Sequence, residues 1–128
     1  GNPGPAGAGS VVFDSSGKRV VEVSDYLGVA TNNIAEYEAV IRGLKALADA
    51  FPDDHFKTHE VLVRMDSKLC IEQMKGNYKV KHPNLVPRYL EAKNVIARHF
   101  TKVTFEHVPR EKNKDADELA NEAMDRKN

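Results

Sequence analysis

The sequence predicts a mixed α/β domain, in which helices flank a sheet of parallel and antiparallel strands. Near the start, two β-branched and aromatic runs are joined by turn residues; later, short apolar runs alternate with segments of helical period. The resulting order is ββαβααβα, and an early hairpin followed by crossover strands gives a mixed sheet with helices on its faces. A chain of 128 residues has the length of one domain, so we expect a single domain over residues 1–128.

The first half of the chain predicts a β-hairpin and then a long helix. Residues 8–14 contain the first strand run, residues 15–18 supply the turn, and residues 20–27 form the second run. From Thr31 onward apolar residues recur three and four apart, as on one face of a helix. They are Tyr37, Val40, Ile41, Leu44, Leu47, Ala48 and Phe51. Thr31, Asn32 or Asn33 is expected to cap this helix.

The second half predicts two strands and three helices. Residues 61–65 form a mostly buried strand that stops at Asp66. Ser67 then opens a short helix that places Cys70 and Met74 in the core. After a basic loop come a third helix over residues 85–100, a last strand over residues 103–107 and a final helix. The third helix is expected to bury Val86, Leu90, Ile96, Ala97 and Phe100, and the last helix Ala116, Leu119, Ala120, Ala123 and Met124.

The composition limits the classes of partner. Lys plus Arg and Asp plus Glu both number 19, so any nucleic-acid binding must come from local patches. Cys70 is the single cysteine, which excludes an internal disulfide and suits a reducing compartment, so we expect a cytoplasmic protein. No segment approaches the roughly 20 apolar residues of a spanning helix, and no membrane partner is expected.

Three acids lie at positions that border the predicted core, where a charged side chain needs an explanation. They are Glu36 early in the long helix, Asp66 at a strand end, and Asp117 early in the last helix. At about 100° per residue, Glu36 lies about 40° from Val40 and about 20° from Leu47, so it borders the core-facing side. Asp117 borders an equivalent face, and both helices are expected to bring a carboxylate near Asp66. The alternative is that each acid is a surface or capping residue, because acids are common in first helical turns.

Clustered carboxylates are stable mainly where cations neutralise them, because they repel one another and are costly to desolvate. Mg²⁺ prefers carboxylate and phosphate oxygens and keeps several waters, which suits an open acidic site. Two such ions about 3.5 to 4 Å apart can activate a water and stabilise the leaving oxygen of a phosphodiester. The acid pattern therefore favours two Mg²⁺ ions, with Mn²⁺ as a substitute.

Five separated motifs resemble the type 1 ribonuclease H family and together cover essentially the whole chain. GNPGPAG at residues 1–7, TNNIAE at residues 31–36 and MDSK at residues 65–68 follow the family in order and spacing. Residues 73–83 resemble a bacterial subgroup, sometimes fused to a phosphatase-like domain, and residues 113–120 resemble the family's last helix. The resemblance implies a mixed five-stranded sheet flanked by helices. It also implies an endonuclease that cuts the RNA strand of RNA/DNA hybrids and leaves 3′-hydroxyl and 5′-phosphate ends.

The resemblance also assigns roles to residues. Glu36, Asp66 and Asp117 would be the catalytic metal ligands, in agreement with the acid pattern. A second set would read the substrate through amide and hydroxyl groups that bond 2′-hydroxyls in the wide minor groove. This set comprises Asn2, Thr31, Asn32, Asn33 and Ser67. Simple N-capping is the alternative for Thr31 to Asn33.

The chain departs from the family pattern in three places. The family's first strand, with a fourth acid, precedes the turn at residues 1–7 and is absent from this sequence, so we expect an N-terminally incomplete domain that is inactive without that strand. Arg110 replaces a loop histidine; we expect it to contact phosphate or assist proton delivery, and an exposed loop arginine is the alternative. The basic protrusion is reduced to residues 75–82, whose lysines either hold a phosphate backbone or are solvated surface.

Two other functions stay open from the sequence. A non-catalytic module that binds RNA/DNA hybrid with the same fold is favoured if the first acid is absent from the working protein. A related nuclease acting on DNA is the alternative within enzymes.

His55 and His59 are spaced like zinc ligands, but no third ligand is evident and zinc is not expected. A monomer is the default expectation.

Overall fold

The computed structural model describes residues 3–127, which contain four strands and four α-helices. In chain order these are β1 (Gly4–Phe13), β2 (Arg19–Ala30), α1 (Asn32–Ala50), β3 (Val61–Met65), α2 (Lys68–Met74), α3 (Val86–His99), β4 (Val103–His107) and α4 (Lys114–Arg126). Short 3₁₀ helices, Asp53–Lys57 and Arg110–Lys112, precede β3 and α4. The predicted order ββαβααβα is confirmed. Within residues 3–127, none of the helices has the length and apolar character needed to cross a membrane.

β1 and β2 form a long antiparallel hairpin. β1 begins at Gly4, earlier than predicted, because its glycine and alanine residues have little strand propensity of their own yet pair with β2. A Cβ on Gly9 would overlap the carbonyl oxygen of Ala116, and one on Gly7 would overlap that of Ala120. The glycines of β1 therefore let the backbone of α4 lie directly on the strand.

The four strands form two pairs among the described residues. β1 pairs antiparallel with β2, and β3 pairs in parallel with β4. β1 and β3 line opposite parts of a shared groove of about 580 Å³, which α1 also lines with Val40, Leu44 and Leu47. The predicted mixed α/β fold with flanking helices is confirmed. The five-stranded sheet, with a further strand between β1 and β3, stays a prediction.

The core lies around α1, and α2 and α3 contribute the residues that pack against this helix. Its buried apolar residues include Tyr37, Val40, Ile41, Leu44, Leu47, Cys70, Ile71, Met74, Leu85, Ala92, Val95 and Phe100. The prediction that Cys70 and Met74 belong to the core is confirmed. The face predicted for α3 was wrong in part, since Leu90 is 52% exposed. Ala97 is exposed as well, because α3 packs through Ala92 and Val95 instead.

Two helix caps fix the chain near the predicted acids. The Oγ1 atom of Thr31 accepts a hydrogen bond from the Ile34 N–H at 3.2 Å, which confirms Thr31 as the cap of α1. The Oγ atom of Ser67 accepts one from the Cys70 N–H at 3.3 Å and caps α2. Each cap satisfies one of the N–H groups that a helix start leaves without a partner. Both helices therefore begin at defined positions directly after a strand.

Candidate active site

Asp66 lies at the carboxyl end of the parallel pair of strands. It follows the last residue of β3, precedes the cap of α2, and is half-buried. The N–H of Val108 donates to the carbonyl oxygen of Met65 at 2.8 Å, so backbone bonding between the two strands continues to this end. Binding sites in α/β sheets usually lie just beyond the carboxyl ends of parallel strands. Asp66 occupies such a position.

Glu36 approaches the same region from α1 and is half-buried. Its pKa is raised from 4.5 to about 7, chiefly by burial and then by the negative charges of Asp66 and Asp117, while Arg110 opposes the rise. These are the three acids that the sequence singled out. The structure brings them close enough to act on one another electrostatically.

Asp117 lies in the first turn of α4 and pairs with Arg110. The Nε atom of Arg110 donates to the Oδ2 atom of Asp117 at 3.3 Å, and the arginine side chain is otherwise exposed. An exposed pair of this kind contributes little to stability. It does place a positive charge beside the acids, at the position where the sequence predicted a site arginine. Contact between Arg110 and substrate stays a prediction.

Two residues that contact Asp66 were missed in the sequence. The Nδ2 atom of Asn113 donates to the Oδ2 atom of Asp66 at 3.3 Å. The Nε2 atom of His107 lies 3.2 Å from the carbonyl oxygen of Asp66. The available signal for Asn113 was its place four residues before Asp117, at the start of a recognised motif. His107 carried no signal beyond its position at the end of the last strand.

The acids offer ligands to a cation without enclosing one. Across residues 3–127, no three His, Cys, Asp or Glu side chains form a group that could hold a metal ion by themselves. Burial and then the negative charges of Asp66 and Asp117 raise the pKa of Glu36, and a bound cation would relieve the repulsion. Mg²⁺ keeps several waters and takes further oxygens from phosphate groups, so an open set of carboxylates fits it.

A second cavity, of about 230 Å³, lies at the start of α1. It is lined by Thr31, Asn33, Ile34, His82, Asn84 and Leu85. The N–H of Asn84 donates to the Nδ1 atom of His82 at 3.1 Å, so a neutral His82 ring carries its proton on Nε2. His82 comes from the loop predicted to be basic and Asn84 follows that loop, and no sequence pattern predicted either residue beside Thr31. Asn32 is exposed next to this cavity.

A buried amide anchors the basic loop to α1. The Tyr37 hydroxyl donates to the Oε1 atom of buried Gln73 at 2.6 Å. The Nε2 atom of Gln73 donates in turn to the carbonyl oxygen of Lys79 at 3.4 Å. Tyr37 is the neighbour of Glu36, so the lysine-bearing loop is tied to the helix that carries one of the acids.

The structure does not test two of the predicted substrate contacts. Asn2 lies outside the described residues. Ser67 uses its hydroxyl as the cap of α2, directly beside Asp66. Substrate contact by either residue stays a prediction.

The fold and the site together define an α/β domain with an open acidic site beyond the ends of parallel strands. Residues 1–123 match the family described as reverse transcriptase-like, and the chain belongs to this family. The resemblance to type 1 ribonuclease H is confirmed by the individual relatives that match the chain.

Three relatives illustrate the match. The chain is 47% identical over 128 residues to the bifunctional protein Rv2228c of Mycobacterium tuberculosis, covering 98% of this chain and 33% of that protein. The chain also matches LC11-RNase H1, a protein isolated from compost, in its crystal structure with an RNA/DNA hybrid. The TM-score is 0.92 and the identity 48%, and the match covers 98% of this chain and 90% of that chain. RNase H1 from Halobacterium salinarum matches with a TM-score of 0.87 and 40% identity, covering 98% and 89%. The chain spans about a third of the length of the mycobacterial protein.

Proposed function

We propose that this domain is a metal-dependent endonuclease that cleaves the RNA strand of RNA/DNA hybrids. The observation that carries the proposal is the approach of Glu36, Asp66 and Asp117 to one another, since, after burial, the charges of Asp66 and Asp117 raise the pKa of Glu36. The similar LC11-RNase H1 has been crystallised in complex with an RNA/DNA hybrid, and its fold matches this chain with a TM-score of 0.92. The three acids support metal-dependent cleavage, and the relative supports an RNA/DNA hybrid as the substrate.

Glu36, Asp66 and Asp117 are the proposed ligands of Mg²⁺, with Mn²⁺ as a substitute. When bound, two such ions lower the pKa of an attacking water and neutralise the leaving oxygen of a phosphodiester. The carboxylates of this chain hold negative charge at the ends of three different elements, so their spacing depends on how β3, α1 and α4 pack. Cleavage by this route leaves 3′-hydroxyl and 5′-phosphate ends.

The hybrid is proposed to lie across the start of α1. Thr31, Asn32 and Asn33 offer hydroxyl and amide groups to the wide minor groove, where 2′-hydroxyls distinguish RNA from DNA without sequence reading. The cavity that Thr31 and Asn33 share with His82 and Asn84 is proposed to take a backbone phosphate, because a helix start presents N–H groups to an anion.

Three further substrate contacts are proposed. Arg110 is proposed to contact a phosphate, which its exposure and its pair with Asp117 beside the acids support. Ser67 follows Asp66 directly and is proposed to contact the cleaved strand. Asn2 is proposed for the minor groove on the basis of its motif.

The groove between β1 and β3 is proposed to take one further strand in the active protein. β1 pairs with β2 and β3 with β4 in the described residues, and the groove between the two pairs is lined partly by apolar side chains of α1. Unpaired strand edges need cover, and Phe13 and Leu62, which also line the groove, are exposed. In the family pattern that strand carries a fourth acid. We therefore expect cleavage to require it.

The test is cleavage of a labelled RNA/DNA hybrid in Mg²⁺ by this chain and by a version extended through the expected strand, each beside its Asp66→Asn variant. Cutting by the extended form that Asp66→Asn abolishes would support the proposal. Hybrid binding without cutting by either form would identify a binding module. Equal cutting of an all-DNA duplex would identify a nuclease with a different substrate.

A further inference from the structure

Asn113 occupies the cap position of α4 but does not cap the helix. An Asn side chain at this position usually accepts a hydrogen bond from an N–H in the first turn. No such side-chain bond forms in α4. The Nδ2 atom instead donates to the Oδ2 atom of Asp66, a residue 47 positions earlier in the chain. The helix thus forgoes a local interaction, and the amide is used for a contact with an acid of the candidate site.

The chemistry of this contact fixes the orientation of the amide. An ionised carboxylate only accepts hydrogen bonds, so Asn113 must present its NH₂ group to Asp66. The two groups are both half-buried. The Oδ2 atom of Asp66 accepts the bond, and its Oδ1 atom takes no part in it. A neutral donor therefore orients the carboxylate without cancelling its charge.

The backbone of the same residue contacts the second acid. The carbonyl oxygen of Asn113 accepts a hydrogen bond from the N–H of Asp117 at 3.1 Å. Asn113 thus holds Asp66 with its side chain and the first turn of α4 with its main chain. One residue thus links the Asp66 carboxylate to the helix turn that carries Asp117, although the two acids are far apart in the sequence.

We propose that Asn113 is a positioning residue that sets the spacing of Asp66 and Asp117 for shared cation binding. The inference rests on the proposed metal-dependent function. Because no three ligating side chains in residues 3–127 form a closed set, the relative placement of the acids determines how well they share an ion. Loss of the Asn113 contact lets the Asp66 carboxylate rotate and weakens cation binding while the fold persists.

The decisive variant is Asn113→Ser. Serine is as good a helix cap as asparagine, but its hydroxyl is too short to reach Asp66. We expect Asn113→Ser to bind Mn²⁺ about tenfold more weakly than the parent chain, as found when residues that orient metal ligands are removed. Its midpoint of unfolding in denaturant is expected to match or exceed that of the parent. Asn121→Ser, which removes an exposed amide from the same helix, is the control and should change neither quantity.

Mn²⁺ binding is measured on the purified chain by calorimetry or electron paramagnetic resonance, without substrate, and unfolding is measured in chelator. Equal Mn²⁺ affinity of Asn113→Ser and the parent would overturn the positioning role. Weak binding that accompanies an equally large loss of fold stability would also overturn it, since a purely structural role predicts that result. If the parent bound Mn²⁺ no better than Asp66→Asn, the proposed metal site itself would fail.

Discussion

The hairpin half of this domain and its acidic half are held together in different ways. In the hairpin half, formed by β1, β2 and α4, the helix backbone lies on β1 at Gly7 and Gly9. The Oγ atom of Ser24 on β2 also donates to the carbonyl oxygen of Leu119 on α4. In the acidic half, formed by the ends of β3 and β4 with the first turns of α1 and α4 that carry Glu36 and Asp117, Asp66 is joined to its neighbours by polar contacts of 3.2 to 3.3 Å.

This difference separates the source of stability from the source of site geometry. Backbone packed against backbone leaves no room for an added atom, so an added side chain there forces the helix and the strand apart. Acids placed near one another raise the energy of the folded chain. We therefore expect substitutions in the hairpin half to act through the fold, and substitutions among the acids to stabilise the metal-free chain while they remove function.

Gly9→Ala is expected to have the largest effect on stability. The added Cβ would overlap the Ala116 carbonyl and come within 2.6 Å of the Ala120 nitrogen, so α4 must move away from β1. We expect the free energy of unfolding to fall by about 3 kcal/mol, at the upper end for overpacking. Gly4→Ala is the matched control, because nothing lies within 4 Å of its added Cβ. Equal denaturant midpoints for the two variants would show that α4 does not depend on a bare strand backbone.

Glu36 makes the stability of the folded chain depend on pH. Its pKa is about 7 in the folded chain and 4.5 as the ordinary value, so between these values the unfolded chain has lost a proton that the folded chain retains. Stability therefore falls as the pH rises from about 4.5 to about 7 and is level above that. Full conversion of the shift gives about 3 kcal/mol, and the half-exposed position reduces it to about 1 to 2 kcal/mol.

Glu36→Gln is expected to remove this fall and to be the more stable protein at pH 8 in chelator. Denaturant unfolding at pH 5, 6.5 and 8 measures the difference, with the exposed Glu122→Gln on α4 as the control. Parallel pH profiles for the parent and Glu36→Gln would show that the acids do not destabilise the metal-free fold. Added Mg²⁺ should restore stability to the parent and leave Glu36→Gln less affected.

The predictions that held were those in which local pattern and tertiary packing agree. The proximity of the acids at positions 36, 66 and 117 could be predicted because helical period and strand ends place them near the core boundary, and their role as metal ligands stays a prediction. Leu90 was placed wrongly, since the period of a helix shows that it has an apolar face but does not fix which turn of that face meets α1. The contact of Asn113 was not predicted, because its partner, Asp66, is distant in sequence. The placement of His82 in the cavity at the start of α1 depends on how the loop folds back, which no local pattern encodes.

Thr31 lies where the two halves meet, between the last residue of β2 and the first residue of α1. Its hydroxyl caps α1 and also lines the cavity proposed for a phosphate, so the sequence's two interpretations, capping and substrate contact, can be separated here. Thr31→Ala is expected to lower the free energy of unfolding by about 1 kcal/mol, and Thr31→Ser to leave it nearly unchanged. If Thr31→Ala weakens hybrid binding at a temperature where both variants are fully folded, while Thr31→Ser does not, the hydroxyl contacts substrate in addition to capping. If only the unfolding free energy changes, Thr31 serves the helix alone, and the hybrid must be held at this end by the amides of the helix start and by the cavity's other polar residues.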